Sequence, residues 1–455
     1  MIMRLFSWKN NKIKILNITI FKLRHTSKGT YFYFLGVPFY KNMAATFRLV
    51  SEFKSNQDFD TQKFDEQIEN LVRPFVPLDV KKDDKKIGVL ATEICDNGGH
   101  TKCIRDLVSS LSENYEQILF LTQKSASVNN APAALNIIKQ HTAVYGIDAD
   151  FIFFRKRCKR FCDKIISQNI KVLLVYIHPN DIFGTAVLAY LKNTTDIKII
   201  YFNHASHYPN LGMSFADVIL ECMPTTEKIT HERRHLNNTS VIGLQSLRKD
   251  ETVYYSGTEL KDLREKLGVK PDEFITMSGG ASYKFFDDNN NSAYFKMIKI
   301  LLKKEPKLKH IIIAEFSNEY KSVIDNIFSG QEQLKNRIIF VPYQTNFDKW
   351  FQIADVFIDS FPVSSALTQI DLMRNKVASV VKINKDNPEF SFHEYQMPDY
   401  PYMFEKVDDM ENAVLELLHN KAKRQEIIKK NYDFWLKTYE SGIVRDKYIK
   451  IIEET

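Results

Sequence analysis

The sequence predicts an α/β protein of two parallel-sheet halves that face each other across a cleft, with a small basic β-rich extension before them and helices after them. Three observations lead to this fold class. From residue 86 onwards, short apolar runs alternate with helical stretches. A polar region at 245–272 divides that series into two sets. The chain has 455 residues, which is more than one ordinary core accommodates.

The N-terminal extension is predicted to span residues 1–80. Residues 15–22 and 34–41 are similar β-rich runs that each end in lysine, which predicts two small hairpin-like units, and residues 44–73 look helical but polar. The first fifty residues hold nine Lys and Arg side chains and no Asp or Glu, whereas the whole chain has a net charge of +7. Such a patch attracts polyanions or anionic lipid head groups, and a solvated, solubilising face explains it equally well.

The first half is assigned to residues 81–250 and the second half to residues 251–420. Their apolar runs are nearly continuous Val, Ile and Leu, which is typical of strands buried on both faces of a parallel sheet. The first half has predicted strands at 87–92, 117–122, 171–177, 197–202, 216–221 and 240–244, and helices at about 99–113 and 182–192. The second half has predicted strands at 274–279, 310–315, 337–342, 356–359 and 378–383, and helices at about 291–304 and 318–328. Each half therefore has the pattern of a Rossmann-like domain, and residues 421–455 are predicted to be helical.

The composition excludes several classes of protein. No apolar run approaches the roughly 20 residues of a membrane-spanning helix, and the N-terminus lacks the apolar region and the cleavage site of a signal peptide. Five cysteines form no paired framework, which indicates reduced thiols. The basic first fifty residues contain no recognised nucleic-acid-binding motif. We therefore expect a cytoplasmic protein without a nucleic-acid partner.

The carboxyl ends of the strands are where open parallel sheets bind their ligands. After the first predicted strand, Gly98 and Gly99 permit a tight turn or a close approach to a ligand. Their surroundings do not form the GxGxxG pattern, so no dinucleotide site is predicted. Cys95, His100 and Cys103 match no zinc-ligand spacing, so no metal site is predicted either.

Histidines follow two neighbouring strands of the first half. Asn203, His204 and His207 come directly after strand 197–202, and His178 ends the preceding strand. Histidine is the side chain best suited to move protons near neutral pH, so His204 and His207 are candidate general bases. The alternative is that these groups hydrogen-bond the backbone of their own loop.

Candidate phosphate-binding residues follow the first strand of the second half. Small residues at Ser278 and Gly279 let backbone amides approach a phosphate, and Lys284 supplies a positive charge. The spacing is not that of a P-loop, which disfavours nucleotide hydrolysis of that type. Tyr343 follows strand 337–342, where it would hold a base or simply belong to a turn.

The segment DSFPVSSALTQIDLM, residues 359–373, passes from a strand into a helix. Ser364, Ser365 and Thr368 lie at the helix start, where free amides and hydroxyls point at one spot. Asp371 shares roughly the same face and is placed to accept hydrogen bonds from a ribose diol while the helix start holds a diphosphate. A capped helix with a solvated Asp371 explains the serines alone, but it leaves their coincidence with Lys284 on a neighbouring strand unexplained.

The two halves and these motifs together resemble GT-B-fold glycosyltransferases of the bacterial polysaccharide and lipopolysaccharide type. YFNHASHYPNLGMSFADVILE, starting at residue 201, looks like the Asn-His-Ala-x-His segment of such enzymes. FIDSFPVSSALTQIDLM looks like the Asp-x-x-Pro-x5-Thr-x-x-Asp-x-Leu pattern of nucleotide-sugar-binding helices, including those related to O-GlcNAc transferases. The units at 15–22 and 34–41 also resemble N-terminal extensions of enzymes that build lipopolysaccharide or capsule. The similarity spans roughly residues 85–420.

The resemblance implies a sugar transfer from a nucleotide-sugar donor to a glycan or lipid-linked acceptor, with no cofactor and no metal. It implies that Ser365 and Thr368 contact the donor diphosphate, that Asp371 binds the ribose and that Lys284 neutralises the phosphates. The glycine loop would face the donor sugar, and the terminal helices would pack back on the first domain. The residues implied on the acceptor side, beside the candidate bases, are His178 and Asn203. Ser364–Ala366 stands where the family often has glycine, and no Glu-x7-Glu is present, so the stereochemical outcome stays open.

Other functions remain open at this stage. A nucleotide-sugar 2-epimerase shares the fold, and a protein O- or N-glycosyltransferase would use the same donor site. A two-lobed solute-binding protein normally requires an export signal. The basic residues 1–50 and the six Lys and Arg of 155–164 make the inner face of the cell membrane a candidate partner, with a solvated helix face as the competing explanation.

Overall fold

The computed structural model describes most of the chain in full. Side chains are described for residues 49, 51–53, 55–56, 58–95, 99–123, 133–147, 154–244, 252–344 and 347–455. For residues 6–9, 12–15, 18–26, 29–34 and 37–39 the backbone alone is described. Two parallel sheets with helices on both faces follow one small antiparallel sheet, which confirms the predicted fold class.

The extension begins with a single antiparallel sheet in which strands pair in chain order. Its strands are β1 (Phe6–Lys9), β2 (Lys12–Ile15), β3 (Ile18–Thr26), β4 (Gly29–Phe34) and β5 (Val37–Phe39). The prediction of two separate hairpin-like units is therefore wrong, because β3 pairs with both β2 and β4 and joins the two repeats into one meander.

The first domain is a parallel sheet of seven strands in the order β12-β11-β10-β9-β6-β7-β8. Its strands are β6 (Asp83–Ala91), β7 (Glu116–Leu121), β8 (Ala143–Gly146), β9 (Ile170–Tyr176), β10 (Lys198–Phe202), β11 (Val218–Glu221) and β12 (Thr239–Val241). Its helices are α1 (Gln62–Val72), α2 (Gly99–Leu111), α3 (Ala133–Ile138), α4 (Phe154–Ile166), α5 (Ile182–Thr194) and α6 (Pro224–Arg234). The central strands β6, β9 and β10 lose nearly all exposure along their apolar stretches, as their near-continuous aliphatic sequence requires.

The second domain is a parallel sheet of six strands in the order β15-β14-β13-β16-β17-β18. Its strands are β13 (Phe274–Gly279), β14 (Leu308–Ile313), β15 (Ile338–Val341), β16 (Val356–Ile358), β17 (Ala378–Lys382) and β18 (Met403–Phe404). Its helices are α7 (Gly257–Lys266), α8 (Ala293–Lys304), α9 (Asn318–Phe328), α10 (Glu332–Lys335), α11 (Asp348–Ile353), α12 (Ala366–Arg374) and α13 (Val407–His419). The carboxyl ends of β13 and β16 lie side by side, which brings Gly280 and Asp359 together.

Two segments differ from their sequence-based interpretation. Helix α1, in the predicted extension, packs on α5, and its residues Ile68 and Val72 belong to the core of the first domain. Helix α7 lies inside the polar region 245–272 that was predicted to connect the two halves. The capping box of Ser256 and Glu259 starts α7, a local signal that the polar composition concealed.

The last two helices, α14 (Lys421–Thr438) and α15 (Ser441–Glu454), return to the first domain as the resemblance implied. Trp435 is fully buried in the same apolar cluster as Leu107 of α2. The Tyr448 hydroxyl lies 2.6 Å from the hydroxyl of Tyr176 at the end of β9. The chain therefore crosses between the domains twice, and its final helix completes the core of the first one.

The helices that the structure describes include none with the length and apolar content needed to span a bilayer.

Candidate active site

The two sheets present their carboxyl ends to one cleft, and three polar contacts bridge it. Lys102 of α2 donates to both carboxylate oxygens of Asp371 on α12, at 2.6 and 2.7 Å. At the start of α6, the backbone amide and hydroxyl of Thr225 donate to Glu394 of the second domain, at 3.0 and 2.7 Å. Near the end of the same helix, the guanidinium of Arg233 lies 3.1 Å from Glu389. The contacts join α2 and α6 of the first domain, which also carries the histidine loop (residues 203–214) after β10, to α12 and the segment 389–394 of the second.

The serine-rich loop, residues 360–365, is built around the buried carboxylate of Asp359 at the end of β16. One Asp359 oxygen accepts from the backbone amides of Ser360 and Ser365, at 2.9 and 3.2 Å, and the other accepts from the Ser364 hydroxyl. Burial raises the pKa of Asp359 to about 6, against the opposing effects of the Ser364 hydroxyl and of Lys284. The loop is therefore shaped by a carboxylate that sequence analysis did not assign to it.

Ser365 is the residue immediately before α12, but its side chain does not cap the helix. Instead its hydroxyl oxygen lies 3.2 Å from Nζ of Lys284 and 3.1 Å from the hydroxyl of Ser360. Helix capping, the alternative explanation of the serines, does not account for this geometry. The hydroxyl is directed at the cation that sequence analysis placed beside it.

Lys284 is partly buried between the two loops of the second domain that were predicted to bind phosphate. Its ammonium donates to the carbonyl of Ser364 at 2.9 Å. Burial lowers the pKa of Lys284 to about 8, and the nearby Asp359 opposes this shift. Gly280 has a φ of 153° and passes beside this lysine: a Cβ there would lie 3.4 Å from its Cδ. The result is a cation held by one carbonyl and one hydroxyl, and an ammonium in such a place is able to bind a phosphate by its charge.

The carboxylate of Asp371 already has hydrogen-bond donors within the protein. Besides the two bonds from Lys102, it accepts from Nη2 of Arg374 at 3.4 Å. Burial would raise the pKa of Asp371, but the charges of Lys102 and Arg374 outweigh it and hold the pKa below its ordinary value. Asp371 is thus a charged carboxylate on the cleft side of α12, already engaged across the cleft.

The other residues predicted to bind the donor differ in how exposed they are. The Ser278 hydroxyl is fully buried and donates to the carbonyl of Ile358 at 2.6 Å, so its side chain is engaged within the sheet. The approach of its backbone to a phosphate stays a prediction. Gly279 lies within β13 and is buried against Phe347. Thr368 is partly exposed in the first turn of α12, and Tyr343 is 42% exposed beyond β15.

The glycine pair of the first domain is only partly described. Gly98 lies outside the described residues. Gly99 starts α2, and a Cβ at this position would lie 2.8 Å from Cδ1 of Leu367 in α12. The glycine therefore allows the two helices to approach across the cleft, and the structure places Leu367, not an open space, against it.

His207 is the histidine that faces the second domain. Its ring centroid lies 5.8 Å from that of Phe390 and 6.4 Å from that of Phe392. Its Nδ1 atom is buried and has no hydrogen-bond partner in the described structure. Burial, together with the charges of Lys284 and Arg234, lowers the pKa of His207 to about 4. A neutral imidazole beside Lys284 is able to accept a proton.

His204 and His178 belong to a separate cluster with His100. The ring centroids of His204 and His100 are 4.5 Å apart, and those of His178 and His100 are 4.9 Å apart. Burial and the neighbouring histidines hold the pKa of His204 well below its ordinary value. No group of three or more potential ligands in the described residues is arranged to hold a metal ion. Because His207 packs against Phe390 and Phe392 of the second domain, it is the stronger candidate base of the two predicted.

Asn203 supports the loop instead of lining the acceptor side. It is fully buried, and its amide donates to both carboxylate oxygens of Glu221, at 2.9 and 3.1 Å. Its carbonyl oxygen lies 3.3 Å from the amide nitrogen of Asn210. With both ends of the side chain engaged, the prediction that Asn203 contacts an acceptor is corrected to a structural role.

Sequence analysis missed several residues of the site. Lys102 lies one turn into the helix after Gly99, a position where a cation facing the cleft could have been inferred from helical spacing. Asp359 ends a strand and could have been found by the same rule that found Lys284. Arg234 carries no such signal, because its contacts with the histidine loop depend on how α6 packs.

Comparison with known proteins adds information on the fold. No family model matches the sequence, and no curated protein matches it. Among solved structures, a glycosyltransferase from Rickettsia africae ESF-5 is similar over 82% of this chain and 99% of its own, with a TM-score of 0.65 and 11% identity. HepE of Anabaena in complex with UDP and glucose is similar over 82% of this chain and 100% of its own, with a TM-score of 0.64 and 12% identity.

A third similar structure covers more of this chain. The O-GlcNAc transferase of Thermobaculum terrenum matches 91% of this chain and 78% of its own, with a TM-score of 0.58 and 12% identity. Identities this low establish the fold alone. The chain has the GT-B fold, with two Rossmann-like domains around a cleft.

The low pKa of His207 predicts how stability depends on pH. The folded protein holds His207 neutral down to about pH 4, whereas the unfolded chain protonates histidine below about 6.5. Stability is therefore lost as the pH falls from 6.5 to 4. We expect His207→Gln to reduce this acid-side loss by about 1–3 kcal/mol, measured by urea unfolding at pH 7, 6, 5 and 4.5. Exposed His141→Gln is the control, and equal acid-side losses in wild type and His207→Gln would contradict the assignment.

Proposed function

We propose that the chain is a glycosyltransferase that moves a sugar from a nucleotide-sugar donor, a UDP-sugar in the first instance, to a glycan or lipid-linked acceptor. The observation that carries the proposal is the Lys284 ammonium seated between the Ser364 carbonyl and the Ser365 hydroxyl, at the carboxyl edge of the second sheet. The GT-B fold supports it, since HepE of Anabaena has been solved with UDP-glucose and a trehalose-6-phosphate enzyme from E. coli with UDP-2-fluoro glucose.

The chemistry follows from where charge develops. As the bond between the sugar C1 and the donor phosphate oxygen breaks, negative charge grows on the departing nucleoside diphosphate. Lys284 and the amides at the start of α12 stabilise that charge without moving, which is the most effective form of electrostatic catalysis. The acceptor hydroxyl forms the new bond to C1 and loses its proton. In an inverting reaction, the neutral imidazole of His207 takes that proton. No step requires a metal or a cofactor.

The acceptor and the pathway form the finer part of the proposal. We assign the enzyme to the synthesis of bacterial surface polysaccharide, with action at the inner face of the cell membrane. A lipopolysaccharide outer core galactosyltransferase, WaaB, shares the fold over 81% of this chain with a TM-score of 0.55. The charge of the first fifty residues supports attraction to an anionic surface.

Donor binding is expected to depend on Lys284. Replacing it in Lys284→Ala removes the charge that faces the phosphates, and we expect the affinity for the cognate UDP-sugar to fall at least tenfold, about 1.4 kcal/mol. Isothermal titration calorimetry against UDP-, GDP-, ADP- and CMP-sugars identifies the donor first. Lys299→Ala is the matched control, because Lys299 is also partly buried and also donates to a backbone carbonyl. Unchanged affinity in Lys284→Ala would refute the donor site, and conversion of the donor to an epimer without acceptor would favour the 2-epimerase.

The ribose role of Asp371 is tested against its bridging role. If Asp371 binds the ribose, Asp371→Ala weakens donor binding at least tenfold, whereas Lys102→Ala leaves the affinity unchanged or improves it by freeing the carboxylate. Both variants remove the contact across the cleft, so they form a matched pair. Equal effects of the two variants on donor affinity would show that Asp371 acts only through the bridge.

Membrane attraction is expected to require the basic extension. We expect the full chain to sediment with vesicles containing about 30% anionic lipid at low salt and to be released as added salt shortens the screening length. The triple variant Lys12→Glu, Lys14→Glu and Lys22→Glu should lose most of this binding. The control carries the same charge change on exposed lysines of the second domain, in Lys261→Glu, Lys266→Glu and Lys303→Glu. Equal binding of both triple variants would rule out the extension as the membrane contact.

A further inference from the structure

The N-terminal segment 59–65 packs against the loop that carries His207. The Thr61 hydroxyl donates to the carbonyl of Asn210 at 2.7 Å. The buried carboxylate of Asp65 accepts from the backbone amide of Gly212 at 2.7 Å and from the hydroxyl of Ser214 at 2.6 Å. These contacts join residues about 150 positions apart in the sequence, so the segment is a fixed support for the loop and not a tether.

Arg234 holds the histidine itself in place. It is 2% exposed, and its Nη2 donates to the carbonyls of Ser206 at 2.8 Å and of Tyr208 at 3.0 Å. These are the two residues that flank His207. One guanidinium therefore fixes the backbone on both sides of the candidate base, and the position of the imidazole depends on the position of the guanidinium.

Phe59 lies over two arginines that act in the site. Its ring centroid is 4.7 Å from Cζ of Arg234 and 3.8 Å from Cζ of Arg233. Phe59 is itself 6% exposed. A desolvated aromatic face attracts a guanidinium and restricts its movement. The carbonyl of Arg234 also accepts from the Gln62 amide at 3.3 Å, so the same segment contacts the backbone of this residue.

The second of these arginines reaches the other domain. Arg233 lies 3.1 Å from Glu389, in the turn at Pro388–Phe390. In the same turn, the carbonyl of Phe390 accepts from the backbone amide of Ser364 at 2.9 Å. Phe59 is therefore linked through Arg234 to the histidine loop. It is linked through Arg233 and the turn at Pro388–Phe390 to the serine-rich loop.

We propose that Phe59 is a positioning residue for the transfer reaction, through which the N-terminal segment keeps Arg234, and so His207, in register with the donor. The proposal rests on the function proposed above and adds a residue that touches neither donor nor acceptor. Aligning a base with its proton is a condition for general base catalysis, and small displacements reduce the rate strongly. We expect donor affinity to change little, because Lys284 and Asp371, the residues proposed to bind the donor diphosphate and ribose, belong to the second domain.

The test compares Phe59→Leu, Phe59→Tyr and Phe53→Leu in the full chain. Phe53 is the matched control: it is 8% exposed in the same N-terminal region and packs edge-on against Phe64, at 5.4 Å, instead of on an arginine. We expect Phe59→Leu to lower kcat for transfer at least tenfold while the Kd for the donor changes less than twofold. Phe59→Tyr, which keeps the aromatic face, should stay within threefold of the wild-type kcat. Phe53→Leu should lower the melting temperature with kcat within threefold of wild type.

Hydrogen exchange gives a readout that does not depend on activity. Phe59→Leu should raise the exchange of residues 203–214, and Phe53→Leu should leave that loop at its wild-type rate. Equal losses of kcat in the two leucine variants, or unchanged exchange of 203–214 in Phe59→Leu, would overturn the proposal. If wild type transfers no sugar from any nucleotide-sugar, the proposed function fails, and the exchange experiment still decides whether Phe59 positions the loop.

Discussion

The structure of the cleft depends on keeping one ammonium group charged in a largely desolvated place. Lys284 loses water on folding, and its partners are a carbonyl, a hydroxyl and the nearby Asp359. Removing a charge from water is costly unless hydrogen bonds replace the lost hydration. The serine-rich loop supplies those bonds, and Asp359 holds that loop in shape. In this loop the Ser365 hydroxyl faces the cation, whereas the Ser364 hydroxyl is bound to Asp359.

Polar contacts between the two domains also lie at this cleft. Lys102, Thr225 and Arg233 each pair with a carboxylate of the second domain, so the edges of the cleft are joined by charge and not by apolar area alone. The apolar contribution comes from the terminal helices, whose Trp435 enters the core of the first domain, and from Ile370 and Met373 of α12 in the same cluster. These contacts require a narrow cleft. A narrow cleft excludes water, which suits the sugar transfer proposed above.

The sequence predicted the fold well because its signals are local. Nearly continuous aliphatic strands, such as 171–177, can be buried only between two helical layers, and helix 318–328 was predicted with its observed bounds. Lys284 and Ser365 were found together because strand ends of a parallel sheet share one edge. The burial of Ser278 and Asn203 was not predictable, because the side chain of a polar residue at the end of a strand points either to the cleft or into the sheet. Phe59 and Arg234 were missed because their contact joins segments far apart in sequence.

The return of helix α15 to the first domain has a consequence for synthesis. The surface around Tyr176 that Tyr448 covers belongs to a domain whose strands are complete by residue 241. Roughly two hundred further residues must be synthesised before α15 covers that surface. Until then, the apolar groups of the surface are exposed. The nascent first domain is therefore a natural client for chaperones that shield apolar surface. Acquisition of its full stability therefore follows the synthesis of α15.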